Sequence, residues 1–560
     1  MTKQDPAIDE NESNDVISKS TKGASSLILI QIITKLFTFI LNQLLIRYIS
    51  PNTFGLATYL EFLTSTILFF SREGERLAIQ RIKSVSALDK DTTKFDINYK
   101  SGSFQQVINF GLLSTFIGIP ILSAVGLLQW KTQTFQTSLL VLPFHKLTLG
   151  LIVGSIILEL LIEPVYAIYQ FQLDFGKRSK FEGLAIFVRC VVTFISVFIV
   201  ASYLSSSKLF EGAVVVSFAL GQFAYSFTLF VSYAFAFSKF NALNGTHVKY
   251  SLEKLNDKST QYYFDKEVFN IYQGFFIQMI FKQLLTEGDK LLINYLFNVS
   301  QQGVYAVISN YGSIIARLLF QPLEESTRLL FSKLLLTKGN TIQTFQYLKL
   351  ISIFYLNFCI LVLFAGLTNG SYLLQFLLRG KWTQTNVFQL FQQYIAYIPF
   401  LAFNGILEAV FTSMATKSDM KQFSTYMTII TLIILLISYL LIEQFQLGLS
   451  GLIIANIINM LLRITYCYKQ IQSFYSRNGI WFNCFTIVKS SSKAILSGLT
   501  MVMVQYVVVF KGMGFTTNNF NQLIYSALLS VLLLVILAYF ERVILKDLIL
   551  KLVSPHRKLL

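Results

Sequence analysis

The chain has 560 residues, of which 54% are hydrophobic and only 13% are charged, and its formal net charge is +17. Soluble globular proteins contain about 25% charged residues, and the mean hydropathy here is +0.58. This composition excludes a soluble globular protein and predicts an all-α polytopic membrane protein. No polar stretch is long enough to build a separate soluble domain.

The chain begins with an acidic and polar tail, which lacks the basic start, apolar run and cleavage site of a signal peptide. We therefore expect no signal peptide. About fourteen stretches after the tail have the roughly 20 apolar residues that cross a bilayer as a helix. We predict transmembrane helices at 22–48, 52–82, 103–130, 147–173, 180–203, 211–238, 266–297, 302–331, 346–369, 386–416, 421–443, 448–469, 489–511 and 520–545.

Lys and Arg residues are concentrated in the two tails and in every second loop between the predicted helices. Cytosolic loops are the ones that carry an excess of basic residues, so this bias predicts that both termini lie in the cytosol. The positive net charge is then mainly a signal of orientation. We expect no nucleic-acid partner.

The first twelve predicted helices contain an internal repeat. Glu163-Pro-Val-Tyr166 resembles Glu408-Ala-Val-Phe411, and other half-to-half matches share an offset of about 245–252 residues. Six helices separate the copies, so both enter the membrane with the same polarity, which predicts two pseudo-symmetric lobes with a cavity between them. The predicted organisation is an N-terminal tail (1–21), a first six-helix lobe (22–238), a cytosolic inter-lobe loop (239–265), a second six-helix lobe (266–470), a cytosolic loop (471–488), two C-terminal helices (489–545) and a cytosolic tail (546–560).

Ionised side chains are concentrated in the first two predicted helices of each lobe. One such group at the bilayer centre costs about 2.5–3.5 kcal/mol on insertion scales, so these groups must face one another, the protein interior or a watery cavity. The basic candidates are Lys35, Arg72, Arg76, Lys282, Lys290, Arg317 and Arg328. The acidic candidates are Glu61, Glu287, Asp289, Glu324 and Glu408.

Two interpretations of these charges stay open. Arg presents a planar fork that matches phosphate oxygens, and Lys presents a point charge, so the basic residues suit an anionic ligand. Alternatively, the charges form salt bridges that hold the helices of a lobe together, such as Arg76 with Glu73 or Arg328 with Glu324.

Some charged residues have no obvious partner in the sequence. Glu159, Glu163 and Glu408 lack an adjacent basic residue, so each is either a proton-coupling or sugar-binding group or a protonated carboxyl bonded to a neighbouring helix. Arg189 and Arg463 lie nearer to helix ends, where we expect them to reach the membrane interface. The few cysteines and histidines are far apart, so we expect no metal site, no cofactor and no catalytic centre.

Five motifs stand out along the chain: Lys282-Gln-Leu-Leu-Thr-Glu-Gly-Asp-Lys290, Pro322-Leu-Glu-Glu-Ser-Thr-Arg328, Glu159-Leu-Leu-Ile-Glu-Pro164, Gly380-Lys-Trp382 and Pro399-Phe-Leu-Ala-Phe-Asn-Gly-Ile-Leu-Glu408. They strongly resemble the eukaryotic RFT family of oligosaccharide-lipid translocation proteins. The resemblance implies the fold of the multidrug, oligosaccharidyl-lipid and polysaccharide exporter superfamily, in the endoplasmic reticulum membrane. It further implies movement of the dolichyl-diphosphate-linked heptasaccharide, five mannoses on chitobiose, from the cytosolic to the lumenal leaflet for N-glycosylation.

On this interpretation the basic candidates contact the diphosphate, and the acidic candidates bind the sugar or control closure of the lobes. The expected partners are the dolichyl-diphosphate oligosaccharide and membrane lipid, with the N-glycosylation machinery as a further candidate, and we expect a monomer. Two alternatives remain: an accessory or scaffold protein of lipid-linked oligosaccharide assembly, and a cation-coupled small-molecule exporter.

Overall fold

The computed structural model describes residues 38, 40–82, 85, 95–172, 174–205, 207–257, 260–336, 341–378, 380–512, 514–540 and 542. Within these ranges twelve helices are long and apolar enough to cross a membrane. They correspond to twelve of the fourteen predicted spans. The predicted span at 266–297 is a helix too, Lys266–Leu296, but it is not among those twelve, and most of the span at 22–48 lies outside the described residues. The prediction of an all-α polytopic membrane protein is confirmed.

The chain divides into two compact units, the first comprising 1–283 with 298–300 and the second comprising 284–297 with 301–560. The helices of the first unit are α1 (40–46), α2 (Pro51–Ile79), α3 (Lys100–Trp130), α4 (His145–Phe171), α5 (Phe175–Leu204), α6 (Phe210–Asn244) and the beginning of α7 (Lys266–Leu296). A short π-helical segment, Thr134–Leu139, lies between α3 and α4.

The second unit contains the end of α7 and the remaining helices. They are α8 (Val299–Ile315), a π-helical segment (Ala316–Phe320), α9 (Gln321–Leu336), α10 (Thr341–Leu377), a 3-10 segment (Gly380–Gln384), α11 (Val387–Met414), α12 (Lys417–Tyr439), a π-helical segment (Leu440–Gln444), α13 (Gly448–Arg477), α14 (Cys484–Ser490), α15 (Ser492–Val504), a π-helical segment (Gln505–Val509) and α16 (Phe520–Phe540).

The proline in the middle of α4 explains how α3 and α4 pack. Pro164 has no amide hydrogen, so the carbonyl of Leu160 one turn earlier loses its helical donor. The hydroxyl of Thr115 on α3 donates to that carbonyl at 2.9 Å. This is possible because the helices touch at Gly111, where an added Cβ atom would lie only 2.4 Å from the Cα atom of Pro164. A neighbouring helix thus satisfies the freed carbonyl, as a helix inside a bilayer requires.

The loop between the lobes is bound to the first unit through two buried amide side chains of α3. Gln105 donates to the carbonyls of Lys249 and Ser251, at 3.2 and 2.8 Å. Asn109 donates to the carbonyls of Glu253 and Tyr263, at 2.7 and 2.8 Å. The same region forms a small sheet in which β1 (Phe95–Asp96) pairs parallel with β2 (Leu255–Asp257), and β2 pairs antiparallel with β3 (Thr260–Tyr262). The loop is therefore an ordered part of the first unit.

The two C-terminal helices pack against α10. Phe364 of α10 lies in one apolar cluster with Ala494 of α15 and Leu533 of α16. The segment between α15 and α16 is fixed by Thr517, whose hydroxyl donates to the side chain of Asn369 at 2.7 Å. The final helices are therefore an integral part of the second unit.

We expect Gly111→Ala to destabilise the protein by about 1–3 kcal/mol, the usual cost of inserting a methyl group into close-packed structure. The added methyl would meet the backbone of α4, which cannot rotate away. Thermal unfolding of the purified protein in detergent measures the effect.

Gly126→Ala is the matched control, because Gly126 lies on the same helix and an added Cβ there would meet nothing within 4 Å. It should leave the unfolding midpoint unchanged or raise it, since Ala favours a helix over Gly by about 1 kcal/mol. Equal effects of the two substitutions would contradict close contact at Gly111.

Candidate functional site

Two arginines of α2 pair with two glutamates of α4. Arg72 and Arg76 are one helical turn apart, as are Glu159 and Glu163, so each pair shares one face of its helix. The Nη1 atom of Arg72 lies 3.1 Å from Oε2 of Glu159. Arg76 binds Glu163 through two nitrogens, from Nε to Oε1 and from Nη2 to Oε2, the second at 2.7 Å. The pairs connect α2 and α4 within the first lobe.

Side chains of α4 and α6 complete this network. Glu159 accepts a hydrogen bond from Gln222 at 3.2 Å and one from Ser226 at 2.8 Å. The guanidinium carbon of Arg76 lies 3.9 Å from the ring centre of Tyr166, as in a cation–π contact. The Glu159 carboxylate therefore accepts hydrogen bonds from three side chains.

A cavity of about 50 Å³ adjoins the network inside the first lobe. Its lining includes Arg72, Arg76 and Glu163, and the further polar side chains Glu182 and Tyr225. Such a volume is large enough to hold water. Paired charges around such a cavity can position helices and hold water or protons. The cavity is too small to enclose an oligosaccharide.

The network corrects several sequence-based expectations. Glu159 and Glu163 are ion-paired and not isolated carboxylates, because their partners come from a distant part of the chain. Arg76 takes Glu163 as its partner, where the sequence suggested Glu73. The sequence analysis did not identify Gln222 and Ser226 of α6 as partners of Glu159. Their spacing of one helical turn was the available signal.

Arg189 and Arg463 also differ from expectation. Arg189 of α5 lies 3.0 Å from Glu61 of α2, and Arg463 of α13 lies 2.7 Å from Glu408 of α11. The prediction that both arginines extend to the membrane interface is wrong, since each finds a carboxylate within its own lobe. Glu61 keeps 55% of its side chain exposed, so it remains accessible to a ligand.

The second lobe uses the repeated positions differently. Arg328 and Glu408 stand where the repeat places Arg76 and Glu163, yet Glu408 pairs with Arg463. Arg328 is exposed and has no ion pair among the described residues, so the suggested bridge to Glu324 is not formed. The carboxylate of Glu324 instead packs so close to Gly405 that a Cβ atom there would overlap it.

Two further basic candidates of the second lobe, Arg317 and Lys290, are exposed. Arg317 donates to the backbone and side-chain oxygens of Asn310, both at 2.9 Å, and has no carboxylate partner in the described part of the chain. Lys290 pairs with Glu287 at 2.7 Å, although 58% of its side chain is exposed.

Asp289 lies beside Asn456, whose amide donates to the hydroxyl of Tyr305 at 3.2 Å. Two other candidates cannot be placed, because Lys35 and the side chain of Lys282 lie outside the described residues. No group of three or more His, Cys, Asp or Glu side chains that could hold a metal occurs within the ranges given above.

A double-mutant cycle on Arg76 and Glu163 tests the buried pairing. Removing one partner of a buried ion pair costs about 3–5 kcal/mol, because the other charge is left buried and unpaired. We expect Arg76→Gln and Glu163→Gln each to lower the free energy of unfolding strongly, and the double variant to cost much less than the sum. Equilibrium unfolding in detergent gives the coupling energy.

The exposed pair of Lys177 and Asp174, 3.2 Å apart, is the reference. Exposed pairs contribute only about 0–1 kcal/mol, so Lys177→Gln and Asp174→Asn should show little coupling. A coupling between Arg76 and Glu163 no larger than this would show that their contact does not stabilise the lobe.

Comparison with known proteins places this arrangement in a family. The family model described as Rft protein matches residues 19–551. The Man(5)GlcNAc(2)-PP-dolichol translocation protein RFT1 of Candida albicans is 49% identical over 550 residues, 95% of each chain. The protein of the same name from Saccharomyces cerevisiae is 37% identical over 552 residues, again 95% of each chain.

A solved structure of the lipid II flippase MurJ, in an inward closed conformation, is similar with a TM-score of 0.54 and 16% identity, covering 92% of this chain and 100% of that chain. This likeness concerns the fold alone, and the fold is that of a polytopic transporter. The family model and the identities to the two fungal proteins span nearly the whole chain. The chain is therefore a multi-pass membrane protein that belongs to the Rft family.

Proposed function

We propose that this protein moves the dolichyl-diphosphate-linked oligosaccharide of five mannoses on chitobiose from the cytosolic to the lumenal leaflet of the endoplasmic reticulum membrane, for protein N-glycosylation. The observation that carries the proposal is the 49% identity, over 95% of each chain, to a protein named for translocation of Man(5)GlcNAc(2)-PP-dolichol. The transporter fold and the charges within its membrane-spanning helices support it. The protein acts as a transporter without catalytic chemistry or a cofactor.

The physical task explains why such a protein needs charges in its helices. An ionised diphosphate loses its hydration water when it leaves the aqueous phase. Even inside a protein that can relax around the charge, this loss costs several kcal/mol per ion. Basic side chains that form charge-assisted hydrogen bonds replace the lost water. The polyprenyl tail needs no such help and stays in lipid.

The ion pairs divide the basic candidates into two groups. Arg72 and Arg76 are bound by carboxylates, so we assign them to holding α2 against α4. Arg317 and Arg328 are exposed and have no carboxylate partner within the described ranges, so we assign them to the diphosphate. Lys290 is exposed but pairs with Glu287, so it stays a candidate for the same role together with Lys35 and Lys282.

The acidic candidates suit the oligosaccharide. Sugar hydroxyls donate hydrogen bonds, and carboxylates accept them. Glu61 is more exposed than Glu159 and Glu163, the other two ion-paired glutamates of the first lobe named above. We therefore propose that Glu61 contacts sugar. Glu287, Asp289, Glu324 and Glu408 remain candidates for sugar binding or for closure.

Liposomes provide the direct test. Purified protein is incorporated with the dolichyl-diphosphate heptasaccharide, and a probe confined to one side reports movement between leaflets. We expect exchange above that of empty liposomes. Arg317→Gln and Arg328→Gln should slow it about tenfold or more, since a hydrogen bond to a charged group contributes about 1.5–3 kcal/mol.

Arg477→Gln is the matched control, because Arg477 is an exposed arginine at the end of α13. It should leave the exchange rate unchanged. No exchange by folded wild-type protein would contradict the proposal and leave the accessory role. Normal exchange by both arginine variants would remove Arg317 and Arg328 from the mechanism while leaving translocation intact.

The proposed orientation, with both termini in the cytosol, has its own test. We expect Ser476→Cys, in the last turn of α13, to react with a membrane-impermeant thiol reagent added outside sealed microsomes, and Thr383→Cys, after α10, to react only after the membrane is opened. Both positions are exposed. The opposite labelling pattern would reverse the orientation.

The background for this labelling is low. Cys190, Cys359 and Cys467 are buried, and Cys484, whose side chain lies outside the described residues, is replaced by Ser in both variants. The parent chain with that replacement should therefore label weakly on either side.

A further inference from the structure

One carboxyl group in the first lobe has no partner. Glu75 of α2 is fully buried, with 0% of its surface exposed. Neither of its carboxyl oxygens has a hydrogen-bond partner among the described residues. Nearly all buried polar side-chain atoms in proteins are hydrogen-bonded, and the nearby Glu159 and Glu163 follow that rule. The isolation of Glu75 therefore needs an explanation.

The neighbours of Glu75 come from three helices. Arg72 and Arg76 flank it on α2, and Glu163 faces it from α4. Tyr272 of α7 is the other titratable neighbour. The adjoining Gly74 packs against Tyr272 as well, with only 3.2 Å between an added Cβ atom and the tyrosine ring.

The described residues of α3, α5 and α6 bring no further charge to Glu75. The only ionisable residue of α3 is Lys100, at its first position. Glu182 of α5 and Tyr225 of α6 line the cavity, and Glu75 is not part of that lining. The balance of charge around Glu75 is therefore set by two arginines and their glutamates.

Those arginines are already matched one to one. Arg72 pairs with Glu159, and Arg76 binds Glu163 with two nitrogens. A third negative charge at Glu75 would be both buried and unpaired, and an isolated buried carboxylate is so unfavourable that such a group takes up a proton instead. We propose that Glu75 is a proton-binding site that carries its proton in this conformation.

Because Glu75 lies next to Arg76, its protonation affects the contact between α2 and α4. Loss of the proton would place a new negative charge next to Arg76, where it competes with Glu163 for the guanidinium. The contact between α2 and α4 would weaken. The cavity that Arg76 and Glu163 line has room for water, so a weakened pair would be exposed to that water.

Infrared spectroscopy of the purified full-length protein in detergent tests the proposal without any lipid substrate, so its outcome is independent of translocation. A protonated carboxyl has a C=O stretch that is separate from carboxylate bands and shifts in D₂O. We expect wild type at neutral pH to show such a band at the high-frequency end typical of a carbonyl without hydrogen bonds. Glu75→Gln should abolish it.

Glu443→Gln is the control, since Glu443 is an exposed carboxyl in the π-helical segment after α12, and it should keep the band. Identical spectra for wild type and Glu75→Gln would overturn the proposal. Failure of Glu75→Gln to fold would also overturn it, because a neutral acid and its amide have the same shape and charge. That outcome would mean that the lobe requires a negative charge at position 75.

Discussion

The first lobe depends on the way two positive and two negative side chains neutralise one another in a low-dielectric interior. Each of these four groups is unfavourable there by itself, and together they form a link between α2 and α4. The same desolvation that makes single charges costly makes the loss of either partner unfavourable, because the other charge would be left buried and unpaired. The buried amide and hydroxyl of α6 donate further hydrogen bonds to the Glu159 carboxylate.

The two lobes use the matching positions of the predicted repeat in different ways. Glu163 of α4 and Glu408 of α11 each accept an arginine. In the first lobe the arginine comes from α2, whereas in the second it comes from α13. Arg328, the residue that corresponds to Arg76 in the predicted repeat, is exposed and has no ion pair among the described residues.

The sequence allowed the positions of most spans to be predicted, because hydropathy and length directly report what a bilayer requires. It did not identify Thr115 as the donor or Arg72 and Arg76 as the partners of Glu159 and Glu163. Those contacts join residues that are far apart in the chain, and a single sequence carries no information on which helices are adjacent.

The isolation of Glu75 was equally hidden from the sequence. It stands among five charged residues on α2, and nothing in that run distinguishes it from Glu73. In the folded protein α7 packs against the adjoining Gly74, and Glu75 is fully buried. Burial of a single group depends on the angle at which two helices cross, and composition does not determine that angle.

The ordered loop after α6 affects where the boundary between the two units falls. Gln105 and Asn109 bind its backbone from Lys249 to Tyr263, so the whole loop is packed on α3 and counts with the first unit. The division between the two units comes further along, between Gln283 and Leu284. Both residues lie within α7, so the boundary falls inside a continuous hydrogen-bonded helix and not in a loop.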